Sequence, residues 1–283
     1  MTGRLTRLLK TGCAMRDLLL PRACAGCAAP DEVLCDHCST LLHQPQAIAM
    51  PLQRFGYALS CGLYQAHIRQ AILQWKDHSD EECDRPFAQA LIDAAAYIQL
   101  DKCINEYCAA QGINKILIVP APSSAASLHE RGRVHLKPLA HALAQALAQP
   151  LLQQLSEPLP QQLTQQFPQQ SPQAHKNAEQ VPVEVCMALS MHRQRIKAVQ
   201  TQSASSRSER VQHSIRMNER QLARGVEAHA AVAAILLDDI VTTGATMRQC
   251  TRVLAHHGID VLTGLCLAYT PSNTDTPSGT QQK

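Results

Sequence analysis

Apolar positions along the chain switch between two periods, and each switch marks a predicted element. Residues 55 to 64, Phe-Gly-Tyr-Ala-Leu-Ser-Cys-Gly-Leu-Tyr, read as one or two short strands, after which Ile68, Ile72 and Trp75 recur at helical intervals. Phe87, Ala90, Leu91, Ala94 and Ile98 repeat at three and four, which predicts one helix from Pro86 to Cys108. Lys115 to Val119 is a short apolar run ended by Pro120-Ala-Pro122, the profile of a buried parallel strand emptying into a loop. Helical spacing returns from Leu136 to Leu147, and Val183 to Leu189 reads as a strand. The last third, with Val232 to Leu237, a helix from Gly244 to His257 and Val261 to Ala268, reads as a strand-helix-strand unit. This alternation predicts an α/β fold, a parallel sheet flanked by helices.

Three stretches depart from that pattern. Leu5, Leu8, Leu9 and Leu19 share one face of a predicted amphipathic helix, but Pro21 and Arg22 cut the Leu18-Leu19-Leu20 run far below a signal-peptide core. From Gln149 to Gln180 there are 11 glutamines, five prolines and a single aromatic, Phe167. Such a segment cannot bury a core, so we expect a flexible insertion. From Arg193 to Arg224 eight Lys/Arg residues face only Glu209 and Glu219. The expected organisation is therefore an N-terminal helix and cysteine module over 1–50, an α/β domain over 51–148 and 181–270, the insertion at 149–180 and a disordered tail at 271–283.

Composition narrows the function classes. The 283 residues carry 26 Lys+Arg and 23 Asp+Glu, a formal net charge of +3, too little to bind polyanions through bulk charge. The basic stretch lacks interleaved aromatics, so any single-stranded DNA contact there would be salt-sensitive and unspecific; a solvated face is the simpler reading. No apolar run reaches the ~18 to 20 residues of a membrane span, and the expectation is a soluble cytoplasmic protein.

Four of the twelve cysteines are concentrated as Cys24-x2-Cys27-x7-Cys35-x2-Cys38. Each pair places two sulfurs on one tight turn, the spacing of a tetrahedral thiolate site. A structural zinc would supply the folding energy that this core-poor segment lacks; paired spacings on both sides favour zinc over an iron–sulfur cluster. His37 reads as a surface histidine. The other cysteines fall mostly on apolar faces and read as core.

The most informative string is Ile235-Leu-Leu-Asp-Asp-Ile-Val-Thr-Thr-Gly-Ala-Thr246. A buried strand delivers Asp238 and Asp239, and a loop of small and hydroxyl residues then opens a helix. Thr242, Thr243 and Thr246 offer hydroxyls, while Gly244 and Ala245 let backbone N–H groups approach an anion at the positive helix end. Asp238 and Asp239 are suited to sugar hydroxyls or a hydrated Mg²⁺. Together they describe a site for a phosphorylated ribose. After Val119-Pro-Ala-Pro-Ser-Ser124, a second turn of small residues carrying Ser123 and Ser124 is followed by Arg131, Arg133 and Lys137, candidates to neutralise a pyrophosphate.

The loop resembles the phosphoribosyl-pyrophosphate loop of type I phosphoribosyltransferases. With the cysteine module, Tyr64, Trp75-Lys76, Val119-Pro-Ala-Pro122 and Arg131-Gly132, the chain is similar to the ComF/GntX family of competence-related and DNA-utilisation proteins. It departs from that pattern at Arg131-Gly-Arg-Val134, where members read Arg-Gly-Phe-Asn, and at His213, where members carry Asn. The resemblance implies a phosphoribosyltransferase-like sheet, structural Zn, and Mg²⁺ with phosphoribosyl pyrophosphate held by Asp238, Asp239 and residues 242–246. Transfer to an unidentified acceptor is the activity so implied, with Asp238 and Asp239 in the catalytic role. Two alternatives stand beside it: a non-catalytic DNA-uptake accessory that joins a helicase or single-stranded DNA, and a sensor of the nucleotide precursor.

Overall fold

A ten-residue strand, Val232–Val241 (β7), runs through the middle of a six-stranded sheet and is buried along almost its whole length. The computed structural model describes residues 22–149, 180–192, 214–225 and 230–271. The expected N-terminal helix, nearly all of the glutamine-rich insertion, Arg193 to Arg210 of the basic stretch and most of the tail lie outside the described residues.

In chain order the elements are α1 (Asp36–Leu41), β1 (Gln46–Ala49), β2 (Tyr57–Leu63), α2 (Ala66–Asp77), α3 (Asp84–Tyr97), α4 (Leu100–Gln111) and β3 (Lys115–Pro120). There follow α5 (Ala125–Arg131), α6 (Leu136–Leu147), β4 (Val183–Val185), β5 (Leu189–Met191), β6 (Ile215–Met217), α7 (Glu219–Gly225), β7, α8 (Ala245–His256) and β8 (Asp260–Tyr269). The sheet order is β1-β2-β8-β7-β3-β4, parallel throughout except for the antiparallel edge strand β1. β1 lies ahead of residue 51, so the sheet takes in part of the segment expected to belong to the N-terminal module. Strands β5 and β6 form a separate antiparallel pair.

Successive side chains of a strand point to opposite faces, and both faces of β3 and β7 are apolar, as a doubly covered parallel sheet requires. Ile116, Ile118, Ile235 and Leu237 pack with α2, α3, α4 and α6 around Trp75, Phe87 and Leu91. Leu117, Val119, Ala234 and Leu236 pack on the other side against Met247, Cys250 and Leu254 of α8. Parallel strands joined by crossovers bring the loops after β3 and β7 to one edge of the sheet, where α/β folds hold their ligands.

Two sequence expectations need correction. The single helix expected from Pro86 to Cys108 is two, α3 and α4, broken where Gln99 takes left-handed backbone with φ 51°. Both halves bury an apolar face, so the periodicity runs across the break without registering it. The strand expected from Val183 to Leu189 is likewise split: β4 joins β3 in the main sheet, and β5 pairs with β6 outside it.

Candidate functional site

β7 ends at Val241, and α8 begins four residues later. Thr242 and Thr243 are exposed between them, and Gly244 is buried with φ 70°. The backbone N–H of Arg248 donates to the Gly244 carbonyl at 2.9 Å, the first turn of the helix. Among the described residues, the amides of Thr243, Gly244, Ala245 and Thr246 have no backbone acceptor; they are the unspent donors of a twelve-residue helix start. The Arg248 guanidinium folds back and donates to the Thr243 carbonyl. A Cβ on residue 244 would lie 2.6 Å from Met50 Cε and 2.9 Å from Arg248 Nη1. Left-handed backbone and close packing both demand glycine here. Gly244→Ala is expected to cost about 1–2 kcal/mol in chemical denaturation; an unchanged midpoint would show that the turn tolerates a side chain.

The two adjacent aspartates diverge. Both are buried, Asp238 at 9% and Asp239 at 7% exposure. Asp239 turns toward α2 and α6: its Oδ2 meets Lys76 Nζ at 2.5 Å and His135 Nε2 at 3.0 Å, and its Oδ1 accepts from the Ile240 amide at 2.7 Å. Burial raises its pKa, but the hydrogen bond from His135 and the charge of Lys76 more than reverse this and hold the carboxyl well below the usual range. Asp238 lies on the α8 side, where its charge acts on Cys250 and Cys266, and its Oδ1 accepts from the Asp239 amide at 2.9 Å. Burial, followed by the neighbouring charge of Asp239, pushes the Asp238 carboxyl well above its ordinary value. The two acids thus shift in opposite directions, Asp239 down inside its ion pair and Asp238 up through burial.

That arrangement does not fit direct ligation of a divalent cation. Asp239 has spent three of its roughly four acceptor positions on protein donors, and burial of Asp238 works against the ionised form a cation prefers.

The turn after β3 is also accounted for. Ser124 caps α5, its Oγ accepting from the Ser127 amide at 3.1 Å, while Ser123 is half-buried beside it. Arg131 pairs with Asp77 at 3.1 Å, and Arg133 forms a two-point contact with Asp84 at 2.9 and 3.0 Å. Asp84 also accepts from Trp75 Nε1 at 2.6 Å, and the Arg133 guanidinium lies 5.9 Å from the Trp75 ring centroid. Arg131 and Arg133, read from the sequence as free cations for a pyrophosphate, each have a carboxylate partner; Lys137 is exposed. His135 and Asp84 carried no sequence signal, because their roles exist only once the segments bearing them are packed together.

At the other end of α2 lies the cysteine module. The four sulfurs of Cys24, Cys27, Cys35 and Cys38 lie within 4.8 Å of one another, compatible with a metal ion such as zinc. Cys27 Sγ and Cys35 Sγ are 3.5 Å apart, close to the ~3.8 Å spacing that tetrahedral bonds of about 2.3 Å require. The Cys35 amide donates to Cys24 Sγ at 3.3 Å. Gly26 is required by contact: a Cβ there would lie 2.8 Å from Cys38 Sγ and 3.0 Å from the His67 carbonyl of α2. His37 is exposed and meets the His67 ring edge-on, outside the cluster.

Of the remaining cysteines in the described residues, Cys61, Cys83, Cys108, Cys186, Cys250 and Cys266 are buried, and burial pushes the Cys83 thiol up to about 12. Of the basic stretch, Arg216, Arg220 and Arg224 are described and exposed. Among the described residues no helix is long and apolar enough to cross a membrane. Neither the protein-family models nor the curated proteins contain a match to this chain.

Proposed function

We propose that the chain is a zinc-containing, phosphoribosyltransferase-like protein that binds phosphoribosyl pyrophosphate and transfers its phosphoribosyl group to an acceptor. The observation that carries this reading is the junction of β7 and α8. An acidic pair ends a central parallel strand, and four amides without backbone acceptors open the next helix around Thr243 and Gly244. A terminal phosphate satisfies those donors and interacts favourably with the helix dipole. The buried Asp238 carboxyl is the group assigned to a sugar hydroxyl. The resemblance of residues 237–246 and of the cysteine module to the ComF/GntX family supports the same reading, as does the position of the loops after β3 and β7 at one edge of the parallel sheet.

In this proposal Cys24, Cys27, Cys35 and Cys38 hold zinc in a purely structural role. No step is assigned to the magnesium implied by the resemblance, because Asp239 is already paired with Lys76 and His135. The protein's part is to position the sugar and to stabilise charge as pyrophosphate departs, which needs little further side-chain chemistry.

Titration calorimetry with phosphoribosyl pyrophosphate and Mg²⁺ tests the reading. The wild type is expected to bind, and Asp238→Asn to weaken binding at least about tenfold through loss of a carboxyl contact to the sugar. Equal affinity for wild type and variant would remove Asp238 from the site, and absence of binding by the wild type would reject the ligand. Release of pyrophosphate across a panel of bases and amines then separates an enzyme from a sensor.

A further inference from the structure

We infer that His43 is a proton-operated latch between the cysteine module and the α/β domain: as an imidazolium it joins the end of α1 to Asp93 of α3, and on losing a proton it releases one of the two. His43 follows α1, the helix that begins directly after Cys35 and carries Cys38. Its Nδ1 lies 2.7 Å from the Ser39 carbonyl oxygen, and its Nε2 lies 2.9 Å from Asp93 Oδ2. A carbonyl oxygen can only accept, and so can an ionised carboxylate. Both ring nitrogens must therefore carry hydrogen for the two bonds to coexist; either neutral tautomer makes one and forfeits the other.

The surroundings favour the charged ring. Asp93 is itself held in place, its Oδ1 accepting from Gln89 Nε2 at 2.9 Å. Ser39 supplies one of the last carbonyls of α1, at the negative end of the helix. The other ionisable groups on the elements packed here are Cys61 of β2, Asp36 and His37 of α1, and His67 and Arg69 of α2. The Cys61 thiol is buried and feels the Asp93 charge; Asp36, His37 and Arg69 are exposed, and His37 meets the His67 ring. Among the described residues Asp93 is the one ion-pair partner of His43. The hydrogen bond to Asp93 raises the His43 pKa and outweighs burial, which lowers it. With 38% of its side chain exposed, the ring exchanges its proton directly with water. The two ion pairs that tie the module down thus differ in kind. Arg22 holds its start to Asp80 and keeps its charge throughout the physiological range, whereas His43 holds its end with a charge that pH removes.

Because the folded pKa is raised, the latch is complete below about pH 6.5, the ordinary histidine value, and opens as pH climbs through the folded value. Hydrogen exchange on the full chain loaded with zinc, corrected for intrinsic rates and referenced to β7 and β8, reads this opening. Protection over residues 35–44 is expected to fall about threefold to tenfold between about pH 6 and about pH 8.5, the range open to a partly exposed pair. Zinc alone would give the opposite trend, since thiolate ligation tightens as pH rises. His43→Gln is expected to be loose at both pH values, and Asp93→Asn to resemble it; His43→Arg, which keeps the charge, is expected to stay protected at both. A pH dependence that survives in His43→Gln, or its absence in the wild type, would overturn the inference. Ring nitrogen chemical shifts give a second reading on the unaltered protein. Both nitrogens of His43 are expected to be protonated at acid pH and to titrate with a midpoint above about 6.5; a midpoint at or below that value would contradict the latch.

Discussion

Cys38→Ser is expected to abolish retention of stoichiometric zinc and to unfold the segment around residues 22–43 while the six-stranded sheet persists. Around the metal ligands the segment has only a small cluster, Cys24, Cys35 and Cys38 with Cys27, Ala29 and Leu34 against them, and it reaches the main core through Ala25 and Leu42. Zinc binding in small thiolate modules is worth on the order of 10–16 kcal/mol, and that energy is folding energy, since the ligands are not preassembled in the unfolded chain. Cys38 is fully buried and sits on Gly26, so its replacement removes a ligand and disturbs the turn that carries the first pair. Elemental analysis should give about one zinc per wild-type chain, and hydrogen exchange should show loss of protection in the module of the variant. The module is tied to both ends of α2, by Arg22 to Asp80 at 2.6 Å and by Gly26 against His67, so exchange at both ends of α2 should also quicken. Full protection in a chain stripped of metal would show that packing alone holds the module.

Neutralising the adjacent aspartates is expected to shift stability in opposite directions. Asp239→Asn leaves the Lys76 ammonium, four-fifths buried, without its counter-charge, and breaking a buried pair by removing one partner costs about 3–5 kcal/mol. Lys76 keeps some contact with water, so the lower end, about 3 kcal/mol, is the expected loss. Asp238→Asn removes a buried carboxyl that resists ionisation and keeps an oxygen for the Asp239 amide; the expected change is between zero and about 1 kcal/mol of added stability.

The pH dependence separates the two acids further. The folded pKa of Asp239 is depressed, so its contribution is present above the ordinary carboxylate range, near pH 4, and fades as acid approaches the folded value. The folded pKa of Asp238 is raised, so its contribution is complete below that range and is lost as pH climbs toward the folded value. The destabilisation by Asp239→Asn should therefore shrink below about pH 4, and the gain from Asp238→Asn should grow as pH climbs above about 4. Urea denaturation across this interval measures both. Equal losses from the two substitutions would mean that the acids share one environment.

Local pattern alone determined the strands and helices that carry a uniform face. Leu136–Leu147 was legible to the residue, and β3, α8 and β8 to within one or two, because burial on a regular element imposes its period on the sequence. The four-cysteine module was equally legible, since its ligands are close in the chain and turn geometry links spacing to coordination. The loop 242–246 was legible as a helix start for the same reason. The break at Gln99 escaped, because a left-handed residue changes direction without changing the apolar pattern.

Only the tertiary structure decided what surrounds the acids. Lys76 is 163 residues from Asp239, and His135 is 104, a separation over which no spacing rule operates. The sequence by itself placed two carboxylates side by side at the end of a strand. Strand geometry then turned them apart, and long-range packing gave one of them a lysine and a histidine and left the other to burial, which is why two identical side chains shift in opposite directions from their ordinary pKa.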